Sequence, residues 1–516
     1  MALGNDHFVC YNPEYHGTSK EDYQRVYEKI ENFAGPGTGC ADQNLQRLFV
    51  NRSFEVVQDW HKWGINMKHN GNWEFSGHAY PGGVCVTLKY NGYNQKKVLY
   101  DQAKSRGVIF SPKTPLTEYL TDSDHKIVGA IGLDISQLEP RLKIFKTKCI
   151  ISATGNTSRL YPSITGGWMF NAANCPCNAG GGRAAAYRAG ATLVNLELPT
   201  THAGPRYFQR CGKASWVGVL KDPHGNPAGP FVTKPDRIHG DITADIWHGL
   251  FPAKMMSGRG PTYMDCSEAS KEDLDYMTWA FGNEGITSIL DQMEQSSLSF
   301  QKQMFEFGSY EVVLMSRGIQ IDEHCSTDIP GLYAAGDEVG NIRDDLGGAA
   351  VFGRISGENA ADYAKASDYT YENILAHPAI EKLSAFCDSL MHRQNGCHWK
   401  ELNITIQQLM TDYVPVGKPR SENLYRVCLK YLNDLESKAK KMVSCQDSHE
   451  LMRALESFDL LLIAKLLCIT GNERKESRGM HQRADYTFTN PLLQDKFLMV
   501  KNENGHARLT WRDQIK

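Results

Sequence analysis

The sequence predicts an α/β fold in which a layered domain is split by an insertion of different texture and followed by a helical C-terminal domain. Three observations carry this. Apolar, strand-like runs end in glycine-rich turns that open small-residue helices, at 149–162, 178–197 and 331–364. Between about 196 and 330, glycine, proline, histidine and aromatic residues crowd together. After Tyr363 the chain reads as amphipathic helix to about residue 470. The expected division is 1–195, 196–330, 331–365 and 366–516, the first and third pieces forming one domain.

Taken in order, "EDYQRVYEKIENF" (21–33) sets Tyr23, Val26, Ile30 and Phe33 at helical spacing. "NLQRLFVNRSFEVVQDWHKWG" (44–64) continues that pattern and stops at Gly64, a helix C-terminus. Between them, Gly35-Pro36-Gly37-Thr38-Gly39 follows a helix rather than a strand, so it reads as a linker and not a dinucleotide loop. Strands are expected within "GGVCVTLKY" (82–90), "VGAIGLDI" (128–135) and "RLKIFKTKCIISATG" (141–155). Leu99 to Arg106 reads as a crossover helix before a further strand, "GVIFS" (107–111). Later, a helical stretch near 286–306 precedes strand-like "VVLMSRGIQID" (312–322), which leads into "GLYAAGDEVGN" (331–341). The tail beyond about 470 is polar and irregular.

Composition sets limits. With 41% apolar residues, 22% charged residues and a net charge of −3, the chain is an ordinary globular sequence without a basic nucleic-acid surface. "MALGNDHFVC" lacks the basic and apolar regions of a signal peptide, and the apolar run 460–469 is far shorter than the ~20 residues of a membrane span. The chain therefore reads as cytoplasmic. Fourteen irregularly spaced cysteines do not make a disulfide framework. Cys175-Pro176-Cys177 is the tightest pair, and nothing repeats it, so no metal site is read; buried reduced thiols are favoured over a redox pair.

The chemistry-bearing residues lie where predicted strands end. Ala153, Thr154, Gly155 and Asn156 close one apolar run, small enough for a ligand to touch main chain. Gly180, Gly181 and Gly182 open an alanine-rich helix that ends at Gly190. Gly336, Asp337 and Glu338 close another run, and Gly347-Gly348 open a further small-residue helix. Helix N-termini of this kind offer unpaired N–H groups and a positive dipole end to an anion or a polar ring edge. Each segment alone is equally a tight turn that lets a helix pack on a sheet.

The order of "SATGNTSRLYP", "AGGGRAAAYRAGA", "IPGLYAAGDE" and "LGGAAVFGRISGENAA" resembles the flavoprotein subunits of the fumarate reductase and succinate dehydrogenase class. Within it, "FEVVQDWHKWGINMKHNGNWEFSG" and "RLYPSITGGWMFN" are most similar to the alpha subunit of adenylylsulfate reductase. "ERKESRGMHQRADY" (473–486) resembles the class's Arg-Glu-Ser-Arg-Gly-x-His segment; its Arg474, Glu476, Arg478 and His481 read as a structural charge network.

The resemblance implies FAD, held in a Rossmann-like domain with an inserted α+β capping domain. It implies that Gly336-Asp337-Glu338 approach the ribityl and pyrophosphate part, and that the amides of Ala350 and Val351 point at the flavin pyrimidine edge. The class also begins with a strand, a G-x-G-x-x-G turn and a helix for the ADP pyrophosphate. No such segment is found before residue 40, which makes the FAD-binding domain incomplete. Three explanations stay open: a truncated sequence, a separate chain supplying that unit, or loss of FAD.

For a small-molecule substrate, His202 in "PTTHAGPRY" sits in an expected loop, where the class carries a substrate-contacting histidine, and is either a ligand and proton donor or an exposed loop residue. Arg206 is a candidate anion anchor. Tyr310 follows Gly308-Ser309, where adenylylsulfate reductases have a histidine, and is the third catalytic candidate. Asp345 replaces the class's arginine, so a carboxylate stands where a dicarboxylate would be clamped, which argues against fumarate or succinate. No cluster or haem motif is present, so electrons are expected from an iron–sulfur or flavin partner protein. The competing reading is a non-catalytic or split subunit that needs another chain for the ADP segment.

Overall fold

Two strands that run parallel, β6 (Ile150–Ser152) and β13 (Leu332–Ala334), form the part of the fold on which the glycine loops hang. The computed structural model describes residues 5–33, 41–75, 83–162, 174–205, 216–228, 250–285, 287–342, 345–368 and 371–515. The linker glycines Gly35–Gly39 and the candidate Arg206 lie outside the described residues.

The chain opens with β1 (His7–Val9), α1 (Pro13–His16), α2 (Lys20–Phe33) and α3 (Gln43–Lys62). Their apolar stripes are the ones the spacing predicts: Val26 and Ile30 of α2, and Phe49, Val57 and Trp60 of α3, are buried. Next come β2 (Thr87–Lys89), which pairs antiparallel with β1, and α4 (Gln95–Ser105). An antiparallel meander follows, of β3 (Leu116–Thr121), β4 (Ile127–Asp134) and β5 (Arg141–Lys146). It leads through β6 to α5 (Gly181–Ala189) and β7 (Leu193–Val194).

The insertion builds its own antiparallel sheet, in the order β8 (Thr200–Pro205), β11 (Phe305–Val313), β10 (Thr262–Asp265), β9 (Val219–Lys221). Around it lie α6 (Leu250–Met256), α7 (Lys271–Glu284) and α8 (Ser288–Gln295). This part has a separate apolar core centred on Trp216, fully buried, with the rings of Phe281, Phe300, Phe305 and Phe307 at 5.3–5.7 Å.

The chain then returns through β12 (Gly318–Ile319) and β13 to α9 (Leu346–Ala366), which packs on α3. Helices α10 (Pro378–Met391), α11 (Trp399–Tyr413), α12 (Glu422–Met442) and α13 (Ser448–Glu473) follow, and a hairpin of β14 (Lys496–Glu503) and β15 (His506–Asp513) ends the fold. Among the described residues, no helix is long and apolar enough to cross a membrane.

Four expectations are corrected. Residues 107–111 form no strand; Val108, Ile109 and Phe110 are exposed, and no described strand pairs with them. The long run 141–155 is two strands, β5 and β6, belonging to different sheets. The helix expected to reach 306 stops at Gln295, and β11 takes over because alternate residues Phe305 and Phe307 bury against Trp216. The tail, read as irregular, holds the β14–β15 hairpin, and β14 also pairs with β7.

Candidate functional site

The carboxyl ends of β6 and β13 release two loops on the same side, the usual crevice of a parallel sheet. A buried carboxylate ties them together. Glu338, from the β13 loop, accepts from the Thr154 amide at 2.9 Å and from Thr154 Oγ1 at 2.6 Å. Gly182 lies against this pair: a Cβ there would sit 2.2 Å from Thr154 Oγ1 and 2.3 Å from Glu338 Oε2. Only glycine fits. Gly155, at φ +83°, is similarly close to Asn178, whose side-chain amide donates to Asn156 Oδ1 at 3.4 Å.

Arg183, in the first turn of α5, joins the remaining pieces. Its guanidinium is fully buried and donates to five acceptors. They are the Arg317 carbonyl at 2.6 Å, the Gly155 carbonyl at 2.7 Å, Thr157 Oγ1 at 3.1 Å, the Leu314 carbonyl at 2.9 Å and the Asp337 carbonyl. Burial pulls its pKa down to about 10, while Glu338 and Asp337 oppose that shift; the group stays charged near neutrality. Sequence reasoning passed over Arg183. Its one signal was a lone charge at the start of a glycine–alanine run.

The start of α9 differs from the expectation. The helix begins at Leu346, so Ala350 and Val351 lie in its second turn, where N–H groups belong to the helical ladder. Asp345 is the N-cap: its Oδ1 accepts from the Gly348 amide at 2.9 Å, and its carbonyl accepts from the Ala349 amide at 3.0 Å. Leu346 and Gly347 are the first-turn residues whose amides remain outside the ladder. Gly347 is also where β1 comes close, with a Cβ there 3.2 Å from the Val9 carbonyl oxygen. Gly336 sits beside the same turn, 3.6 Å from Ala349 by the same measure.

The two substrate candidates among the described residues are in strands. His202 lies in β8 rather than a loop, and the antiparallel register sets Tyr310 of β11 directly opposite it. The register shifts just beyond, between Tyr310 and Val312. From there β11 runs straight into the loop cluster. Leu314 and Thr157 exchange main-chain hydrogen bonds at 3.1 and 3.2 Å, and Leu314 is one of Arg183's acceptors.

A cavity of about 1180 Å³ opens beside Thr154, Asn178 and Gly180–Gly182, and is closed on its far side by α10, α12 and α13. Asp459 of α13 faces it and is held by Arg188 Nη1 at 2.7 Å. Burial pushes the Asp459 carboxyl up to about 6, against the pull of Arg188. The candidate residues thus fall into two groups. Thr154 and Gly180–Gly182 line this cavity, whereas Gly336, Gly347 and Gly348 cluster at the α9 start; Glu338 and Arg183 join the two.

Farther off, Arg474 bridges Glu197 at 2.7 Å and Glu476 at 2.8 Å, and Arg478 reaches Glu476 at 2.9 Å. His481 is buried there, its pKa well below the ordinary value because of burial and the charges of Arg420, Arg474 and Arg483. These contacts tie the residues that precede β8 to the C-terminal region.

Residues 17–344 match the family described as an FAD binding domain, and residues 404–514 match the fumarate reductase flavoprotein C-terminal family. Among curated proteins, the chain is 23% identical to a subunit of the CoM/CoB fumarate reductase of Methanothermobacter marburgensis, over 97% of this chain and 89% of that one. It is 27% identical to an uncharacterised FAD-dependent oxidoreductase of Methanocaldococcus jannaschii, over 71% of this chain and 65% of the other. Among solved structures, adenylylsulfate reductase of Archaeoglobus fulgidus superposes with a TM-score of 0.81 at 18% identity, covering 99% of this chain and 88% of that one. The flavoprotein of Escherichia coli quinol fumarate reductase gives 0.79 at 18% identity, covering 100% and 89%.

Proposed function

This chain belongs to the FAD binding domain family, an FAD-dependent oxidoreductase of the fumarate reductase and succinate dehydrogenase class, and on that premise we propose that it acts on a small substrate other than a dicarboxylate, held beside β8 and β11. The residues present fit the flavin. Gly182 and Gly347 let the Thr154–Glu338 pair and the Val9 carbonyl pack against bare backbone, which fixes the loops around the site, and the first-turn amides of α9 offer donors. When bound, FAD supplies hydride exchange and storage of two electrons. Leu346 and Gly347 would donate to the flavin's pyrimidine edge. Arg183 and Glu338 hold the surrounding loops in register. His202 and Tyr310, opposite one another, are the candidates to orient the substrate and move its proton. Arg206 remains the candidate anion anchor.

The observation that carries the substrate reading is the Asp345 cap. Its carboxylate occupies the Gly348 amide at the α9 start, so it places negative charge at the helix end where the class pattern has an arginine. An incoming carboxylate then meets repulsion instead of a clamp. Reduced, FAD-loaded protein mixed with fumarate under anaerobic conditions should stay reduced. Rapid reoxidation by fumarate would sink this reading.

The second reading, that another unit completes the nucleotide site, also has a specific observation. Parallel sheets are normally covered on both faces. Here β6 pairs only with β13 among the described residues, Ile151 is 40% exposed on it, and Ile109 of the unpaired 107–111 segment is 93% exposed. A strand–helix–strand unit carrying the ADP-binding turn would cover these surfaces, whether in the same polypeptide or a separate chain. An iron–sulfur or flavin protein would deliver the electrons. FAD retention measured with and without such a unit added tests this. Equal, tight retention in both cases refutes it.

A further inference from the structure

We infer that Asp6, His7 and Glu284 form a binding site for a divalent transition-metal cation that fastens the capping helix α7 to the strand beside the start of α9. Each residue offers one ligand atom, a ring nitrogen from His7 and a carboxylate oxygen from each acid, and these atoms all lie within 4.8 Å of one another. Asp6 is fully buried, Glu284 is 7% exposed, and the His7 side chain is 20% exposed. One imidazole nitrogen with two carboxylate oxygens suits Mn²⁺, Fe²⁺ or Zn²⁺, whereas Mg²⁺ and Ca²⁺ favour oxygen alone.

Two features of the surroundings favour a cation. Glu284 is the last residue of α7, whose final turn carries no basic side chain, so the negative end of the helix dipole faces the site. The Tyr276 hydroxyl donates to Asp6 Oδ2 at 3.1 Å, and Asp6 Oδ1 lies 2.7 Å from His7 Nδ1. The Tyr276 hydrogen bond comes from outside the three ligands and fixes the orientation of the Asp6 carboxylate. Lys89, opposite His7 in the β1–β2 register, directs its ammonium to Glu74 at 3.4 Å and over the rings of Tyr276 and Trp279.

The position gives the site a consequence. Asp6 and His7 begin the segment whose Val9 carbonyl packs against Gly347, while Glu284 belongs to the insertion. A cation there joins the two parts of the molecule next to the proposed flavin edge. Sequence reading assigned no metal because the ligands are an adjacent Asp-His pair and one distant glutamate, without a recurring spacing.

The test uses the full chain, stripped with a chelator and titrated with Mn²⁺, with free Mn²⁺ followed by electron paramagnetic resonance and Zn²⁺ added as competitor. The expected result is one equivalent bound, displaced by Zn²⁺, with affinity weakened roughly tenfold or more in Glu284→Gln and His7→Gln. Melting of the stripped variants, compared with the stripped parent, separates lost binding from lost folding. Mn²⁺ should raise the melting temperature of the parent and leave that of Glu284→Gln unchanged. Absence of stoichiometric binding, or equal binding by the parent and both variants, overturns the inference.

Discussion

Replacing Arg183 with methionine keeps most of the side-chain volume and removes every donor. Of its five acceptors, the Leu314 carbonyl keeps the Thr157 amide and the Asp337 carbonyl keeps the Ser316 amide. The Gly155 and Arg317 carbonyls lose the donor the guanidinium supplied. A buried acceptor left without a partner costs about 1–3 kcal/mol, so the two together cost about 2–6 kcal/mol. Removing a buried charge whose pKa is already pulled down to about 10 returns part of this. The expected loss is therefore near the lower end, about 2–3 kcal/mol. For a cooperative unit of roughly 150–250 residues this lowers the melting temperature by about 4–12 °C. The loops at Gly155, Leu314 and Asp337 lose their common anchor, so FAD retention after desalting should fall as well. Calorimetry and the flavin absorbance of the desalted protein measure both. An Arg183→Met protein that melts with the parent and keeps as much FAD would refute the assignment of Arg183 as the residue that sets these loops.

Four further outcomes follow from the same geometry. Asp345→Asn keeps a capping oxygen for the Gly348 amide but removes the charge, so stability should change by less than about 1 kcal/mol while reoxidation by carboxylate acceptors speeds up; stopped-flow absorbance reads this. Gly182→Ala places a methyl group on the Thr154–Glu338 pair and should cost about 1–3 kcal/mol in denaturant titrations. His202→Asn should lower turnover by roughly 10²–10⁴ with FAD content unchanged, if His202 moves the substrate proton; steady-state kinetics on the identified substrate decides it. Asp459 has a folded pKa of about 6 against an ordinary 3.8, so the folded state holds its proton more tightly, and stability falls by roughly 3 kcal/mol as pH rises from about 4 to about 6. In Asp459→Asn, melting across that pH window should lose this component.

The glycine loops were legible because their chemistry is local: a strand end, a bare backbone and a small-residue helix are written within a dozen residues. Arg183 was not, since its acceptors come from segments around 155, 314, 317 and 337 that only the fold assembles. His202 read as a loop residue because Gly204 and Pro205 follow it, yet its strand is defined by β11, more than 100 residues later, and such non-local pairing overrides local preference. The α9 helix starts at Leu346, one residue before the glycine pair, because Asp345, at φ +103°, caps it. The tail hairpin did carry a signal: Asn504-Gly505, both at positive φ, is the two-residue turn that joins antiparallel strands. The polarity of the surrounding residues hid it.

The segment that carries Trp216 keeps an apolar core of its own. Trp216 and its phenylalanines bury their surface within the insertion, in a cluster separate from the large core of the rest of the chain. The polar junctions described above connect the parts: Leu314 with Thr157 and Arg183, Glu197 with Arg474, and Tyr276 with Asp6. Apolar contacts cross as well, since Leu314 is part of the large core and Val312 packs against it. The first junction is continuous with the loops at the proposed flavin site. The second stays fixed, because Arg474 and Glu197 are both buried and the loss of either leaves an unpaired charge. The third contains the proposed cation ligands and joins the cap through a tyrosine hydroxyl and a glutamate at a helix end. Of the three, it is the one whose strength an added ion can change without breaking a buried pair.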